Sequence, residues 1–151
     1  KVGIKEFLQN YVTTEPGQII EQNGVTIGEH DGAIFYTIGQ RHGLNVGGGL
    51  PYYVVGKDMQ KNEVYVTSRI DDERLWRAEL ELTDLHWIND SPQAGKTYQI
   101  RTRYRAPLVA CHFAGDDFSK VMLKDAIKAV TAGQSAVIYD GDLVVGGGIV
   151  T

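Results

Sequence analysis

Residues 135–150 read SAVIYDGDLVVGGGIV. Two apolar runs flank Asp140-Gly141, a dipeptide suited to the tight turns whose twist matches that of paired strands, so the direct reading is a hairpin. The same pattern recurs upstream. TYQIRTRYRA (97–106), PLVACHF (107–113) and KVMLKD (120–125) read as strands, and AELELTDLHWI (78–88) alternates, with Leu80, Leu82 and Asp84 on one side and Glu79 and Glu81 on the other. KDAIKAVTAG (124–133) is open between a short helical turn and a loop.

Nearer the N-terminus, QIIEQ and VTIG flank Asn23-Gly24, a second hairpin signal in which both turn positions are expected at positive φ. IFYTIG (34–39) is a further strand candidate, and PYYVVGKD (51–58) with NEVYVTS (62–68) forms another hairpin across the polar MQK. Helical spacing occurs once, where Ile4, Phe7, Leu8 and Tyr11 predict a short amphipathic helix over residues 3–12, ended by Pro16-Gly17. The charge cluster IDDERLW (70–76) interrupts the strand rhythm and places a boundary there. The expected architecture is mainly β, with one module over 1–72 carrying the helix and a second over 73–151. Short strands at this density indicate small barrels or sandwiches.

Composition agrees. Eighteen glycines against four prolines favour many tight turns, and 42% hydrophobic with 23% charged residues is a globular balance. The lone Cys111 cannot form an internal disulfide, and no apolar stretch approaches the roughly 18 residues of a membrane helix, which makes a reducing, cytoplasmic setting without membrane the default. KVGIKEFLQNYVTT does not resemble a secretory signal and reads as a chain caught mid-protein. A net charge of -4 confines any nucleic-acid role to a local basic patch.

Catalytic motifs are scarce. Cys111 sits in an apolar strand pattern, where burial makes a thiol inert. The four histidines, at 30, 42, 86 and 112, lie on separate elements without ligand spacing, so they read as surface or half-buried side chains and no metal is expected. Glu29-His30 beside Asp31-Gly32 reads as turn chemistry. Neither glycine cluster, TIGQRHGLNVGGG or Gly146 to Gly148, forms a nucleotide-binding loop, and both read as places for bulges or close backbone packing. The first also carries Arg41 and His42, so its tip could touch phosphate or a neighbouring domain.

The informative segment is YQIRTRYRA. Extended, it would put Arg101, Arg103 and Arg105 on one face, with Ile100, Thr102 and Tyr104 on the other. Three guanidiniums in a row need anionic company, either phosphates, which planar donors suit, or acids such as Glu79 and Glu81 across strands.

IGEHDGAIFYTIGQRHGLNVGGG, PYYVVGKD, RTRYRA and VTAGQSAVIYDGDLVVGGGIV, in this order, resemble the bacterial tRNA-specific 2-thiouridylases of the MnmA type across essentially the whole chain. The resemblance implies a small central β domain followed by an antiparallel barrel like those of translation factors. It also implies an enzyme that thiolates C2 of the wobble uridine of tRNA, with the catalytic cysteine pair, ATP and magnesium in a preceding PP-loop domain. No catalytic residue is then expected in this chain. tRNA contacts are implied at Arg103, Tyr104 and Gln134, and the basic pattern extends the candidates to Arg101, Arg105 and Arg41. Arg103 and Tyr104 can act together only at a strand end or a twist. The family usually has proline at the position of Ala132 and tryptophan at that of Tyr52. A different reading makes the chain a protein-interaction module packed on the catalytic domain or on a sulfur-carrier protein.

Overall fold

The computed structural model describes residues 14–44 and 46–151, so the helix expected over 3–12 lies outside the described residues. Two compact units, Lys1–Leu75 and Trp76–Thr151, make up the chain.

In the first unit, β1 (Gly17–Glu21), β2 (Thr26–His30), β3 (Tyr53–Asp58) and β4 (Glu63–Thr67) form a sheet of order β2-β1-β4-β3. Two antiparallel hairpins are joined by a parallel pairing of β1 with β4, from Gln18↔Glu63 to Glu21↔Val66. The β-branched side chains of Ile19, Val54, Val64 and Val66 are fully buried and form the core with Ala33, Tyr36 and Tyr52.

Two local expectations need correction here. The hairpin at Asn23-Gly24 is not a two-residue turn with both positions at positive φ. Only Gly24 has that conformation (φ 84°), with Gly24 N–H donating to Glu21 O (2.8 Å) and Glu21 N–H to Val25 O (2.9 Å). This is a three-residue loop closed by a left-handed glycine, the next most common solution. IFYTIG is not a strand: Ala33–Phe35 is a 3-10 turn, and Gln40 N–H closes a further turn on Thr37 O (3.0 Å). The segment then docks on the edge of β3, where Gly39 N–H donates to Val54 O (2.7 Å) and Val54 N–H to Gln40 O (3.0 Å). Apolar content alone could not separate a buried loop from a strand.

His30 also differs from the half-exposed expectation, being only 3% exposed. Its Nδ1 accepts the Gly32 N–H (2.9 Å), which closes the Asp31-Gly32 turn. Burial lowers its pKa below the usual 6.5, opposed by the Asn62 backbone and the Asp31 charge. The folded chain therefore favours neutral imidazole, while the unfolded chain takes up a proton first as pH falls through 6.5. Stability of this unit should decline from that point down to the folded-state pKa and be constant above it. Urea unfolding followed against pH should show the decline, and His30→Gln, which keeps an acceptor for Gly32, should flatten it. An equal decline in the variant would refute the assignment. Asp72, held well below the carboxylate range chiefly by Arg74, loses its contribution only at more acid pH.

The second unit is a closed six-stranded antiparallel barrel of order β10-β5-β8-β7-β6-β9, as a mainly β reading requires. Its strands are β5 (Trp76–Trp87), β6 (Tyr98–Arg101), β7 (Val109–Ala114), β8 (Lys120–Lys128), β9 (Ser135–Asp140) and β10 (Leu143–Val150). Closure leaves no free sheet edge. Leu80, Ile100, Val121 and Ile138 point inward, and Phe113 lies at the centre of edge-on contacts with Trp87 (5.6 Å), Phe118 (5.6 Å) and Tyr98 (5.8 Å).

The alternation in β5 holds for Leu80 and Leu82 but fails at Asp84, which is exposed with φ 50°. A register shift against β10 lies here, and beyond it Leu85 and Trp87 take the inward side. The 124–133 segment resolves as strand as far as Lys128, because the start of β5 pairs with it, Arg77 opposite Ile127 and Trp76 opposite Lys128. The β9–β10 hairpin turns on Gly141-Asp142, between paired Asp140 and Leu143, one step later than the dipeptide suggests.

Candidate nucleic-acid interface

β6 is four residues long, so the expected stripe of three arginines on one extended face does not form. Tyr98 and Ile100 face the core, leaving Gln99 and Arg101 on the outer side. Pairing with β9 sets Gln99 opposite Tyr139 and Arg101 opposite Val137, and directly opposed residues share a face. Tyr139 is thus the diagonal neighbour of Arg101. The guanidinium donates to its hydroxyl (3.0 Å) and lies over its ring, 5.1 Å from the centroid.

After Arg101 the chain leaves the sheet. Thr102 is buried, and Ala106 N–H donates to Arg103 O (3.1 Å), closing a turn with Tyr104 and Arg105 at its corners. Arg105 has φ 65°, a left-handed conformation unfavourable for any residue with a Cβ. The turn projects Tyr104 into solvent, where it is 88% exposed. Arg103 reaches back to donate to the Ala129 carbonyl (2.8 Å), and Ala129 also has positive φ (60°). Two of the five non-glycine residues with positive φ among the described residues, Arg105 and Ala129, thus neighbour the Arg103 side chain and its acceptor.

Gln134 comes from the loop before β9. Its Oε1 accepts the Thr131 N–H (3.3 Å), and its backbone is tied to β10 through Val150 N–H (2.8 Å). Because β9 pairs with β6, this loop opens beside the Arg103 turn. Arg101, Thr102, Arg103 and Tyr104 from one side, and Gln134, Ser135, Val137 and Tyr139 from the other, line a groove of about 310 Å³.

Four sequence candidates therefore meet: Arg101, Arg103, Tyr104 and Gln134. Arg105 lies over the Tyr104 ring (5.4 Å) without lining the groove. Arg41 is exposed in the first unit and is not brought to the groove by the barrel's own fold. Neutralisation by Glu79 and Glu81 is not what the barrel does: they lie on β5, which pairs with β8 and β10, and Glu79 engages Lys120 (3.3 Å). The groove thus carries two guanidiniums held by neutral partners, a phenol and a carbonyl, and no carboxylate in its lining. Sequence reasoning missed Tyr139, Ser135 and Val137. Only the β6–β9 register reveals them, and no local motif encodes it.

Cys111 is 2% exposed, and burial pushes its thiol up to about 11. It should not react with a thiol reagent at pH 8 until denaturant is added, whereas immediate stoichiometric labelling would contradict this packing. Among the described residues no group of three or more His, Cys, Asp or Glu could hold a metal ion. No described helix is long and apolar enough to cross a membrane.

Fold and groove define a class of β module, a four-stranded sheet unit and a closed barrel, the barrel carrying a recess lined by two guanidiniums. Residues 5–68 match the model of the tRNA methyl transferase PRC-barrel domain family, and residues 77–150 match that of the aminomethyltransferase beta-barrel domain. The chain is similar over 97% of its length to tRNA-specific 2-thiouridylases MnmA of Neisseria meningitidis serogroup C (42% identical), Geobacillus thermodenitrificans (40%) and Listeria monocytogenes serotype 4a (38%). It belongs to this tRNA-specific 2-thiouridylase family, and it spans 40–41% of the length of these curated relatives.

Proposed function

We propose that the chain provides the tRNA-docking surface of a tRNA-uridine 2-sulfurtransferase whose chemistry takes place in another domain. The observation that carries this reading is the convergence of Arg101, Arg103, Tyr104 and Gln134 on one groove without an acid. Guanidiniums suit phosphate oxygens because their planar donors are directional and always charged. On this reading Arg103, Tyr104 and Gln134 contact tRNA, with Arg101 and Arg105 supporting and Arg41 as an outlying contact from the first unit. ATP and magnesium belong to a PP-loop domain with the catalytic cysteines. The groove does not suit magnesium, since its lining offers no carboxylate.

Anisotropy titration of the 151-residue chain with a tRNA substrate of the family should show ATP-independent binding that weakens with salt. Two phosphate contacts give a slope of log affinity on log salt of about -1.5, an accessory surface in magnitude. Arg103→Ala should weaken binding about 5- to 8-fold at 0.1 M salt, one contact's share of that slope. Absence of binding at low salt, or affinity indifferent to Arg103→Ala, would overturn the proposal. A docking site for the catalytic domain or a sulfur-carrier protein is the competing role, and a groove that bound protein but not RNA would establish it.

A further inference from the structure

We infer that the groove takes a single unpaired ribonucleotide, its base stacked on Tyr104 and its phosphate against Arg103, rather than a stretch of duplex; this rests on the tRNA-docking reading above. Tyr104 is a large aromatic side chain with 88% of its surface in solvent, set at the corner of a turn whose next residue, Arg105, accepts a left-handed conformation. Solvation alone does not reward that placement. Arg105 covers part of the ring without lining the groove, so the rest of the ring is the surface that the groove presents.

Shape points the same way. A volume of about 310 Å³ lies at the lower end of small-ligand sites and suits one nucleotide. Bases within an A-form helix are stacked on both faces and present a ribose-phosphate surface outward, so a duplex has no base to offer an aromatic ring. An unpaired base can be splayed out and stacked on a tyrosine or an arginine plane. The remaining groups are already fixed for such a guest. Arg101 is held by Tyr139, and Arg103 by the Ala129 carbonyl. The Gln134 Oε1 is occupied by Thr131 N–H, which leaves the Nε2 group to donate to a base or ribose edge.

The test uses the 151-residue chain with a labelled tRNA transcript and two competitors, a short mixed-sequence single-stranded RNA and a short blunt RNA duplex of equal phosphate count. The single strand should displace tRNA at roughly tenfold lower concentration than the duplex. Tyr104→Ala should weaken tRNA and single-strand binding by about tenfold, while Tyr104→Trp retains it. Stacking releases no counterions, so Tyr104→Ala should leave the salt slope unchanged where Arg103→Ala lowers it by about 0.7. Equal competition by duplex and single strand, or unchanged affinity in Tyr104→Ala, would overturn the inference and leave tRNA docking standing. Failure of the chain to bind tRNA at all would remove both.

Discussion

Gly147→Ala is expected to be among the most destabilising single-methyl changes in the barrel, alongside Gly146→Ala, whose Cβ would lie 2.1 Å from the His86 carbonyl oxygen. A Cβ built on Gly147 would lie 2.1 Å from the Ala136 carbonyl oxygen and 3.2 Å from its carbon, and both are backbone atoms of the paired strand β9. A flexible side chain could move aside, but a backbone carbonyl in a closed barrel cannot do so without parting β9 from β10. Overpacking of a core typically costs about 1–3 kcal/mol, and this backbone clash should reach the upper end or beyond. For a unit of this size, about 3 kcal/mol lowers the thermal midpoint by roughly 10–20 °C. Gly148→Ala, whose Cβ would meet the Thr83 oxygen at 2.7 Å, should cost less. Thermal unfolding followed by circular dichroism would check the ranking, and a Gly147→Ala barrel as stable as the parent would show that the strands can separate at no cost. A second consequence links packing to function. Since β9 carries Tyr139 and is preceded by Gln134, displacing it should also open the groove.

What the sequence reveals and conceals follows from how local each signal is. Alternation around Leu80, Leu82 and Phe113 and the turn signal at Asp140-Gly141, one step off the observed turn, depend on near neighbours, and they identify most barrel strands and the mainly β class. The arginine stripe fails because strand length is set by pairing: β6 meets β7 over three residue pairs and β9 over three, after which the chain turns. Yet the same failure brings Arg103 and Tyr104 to one site, which strict alternation forbids. IFYTIG misleads because a loop that buries Tyr36 and packs Phe35 on the core uses the same apolar residues as a strand. The parallel β1–β4 pairing joins distant segments and leaves no local trace. Tyr139 reads as an ordinary strand aromatic, and only the register opposite Gln99 makes it the partner of Arg101.

Arg103→Glu should reduce tRNA affinity by about 30-fold at 0.1 M salt while leaving the barrel folded. Each phosphate contact is worth about 0.7–0.9 log units at that salt, and reversing the charge both removes one contact and opposes another. Arg103 is exposed and its bond to Ala129 is a single one, so stability should change by little more than a surface hydrogen bond contributes, about 1 kcal/mol. Arg103→Lys separates charge from geometry. Lysine keeps the cation but lacks the planar fork that can hold the Ala129 carbonyl and a phosphate at once, so a loss of a few-fold with an unchanged salt slope is expected. Were the groove instead a protein contact, Arg103→Glu and Arg103→Lys would leave tRNA binding alone. Were the charge alone to matter, Arg103→Lys would match the parent. Measured together against salt, the two variants assign the contribution of Arg103 to its charge, to its fork, or to neither.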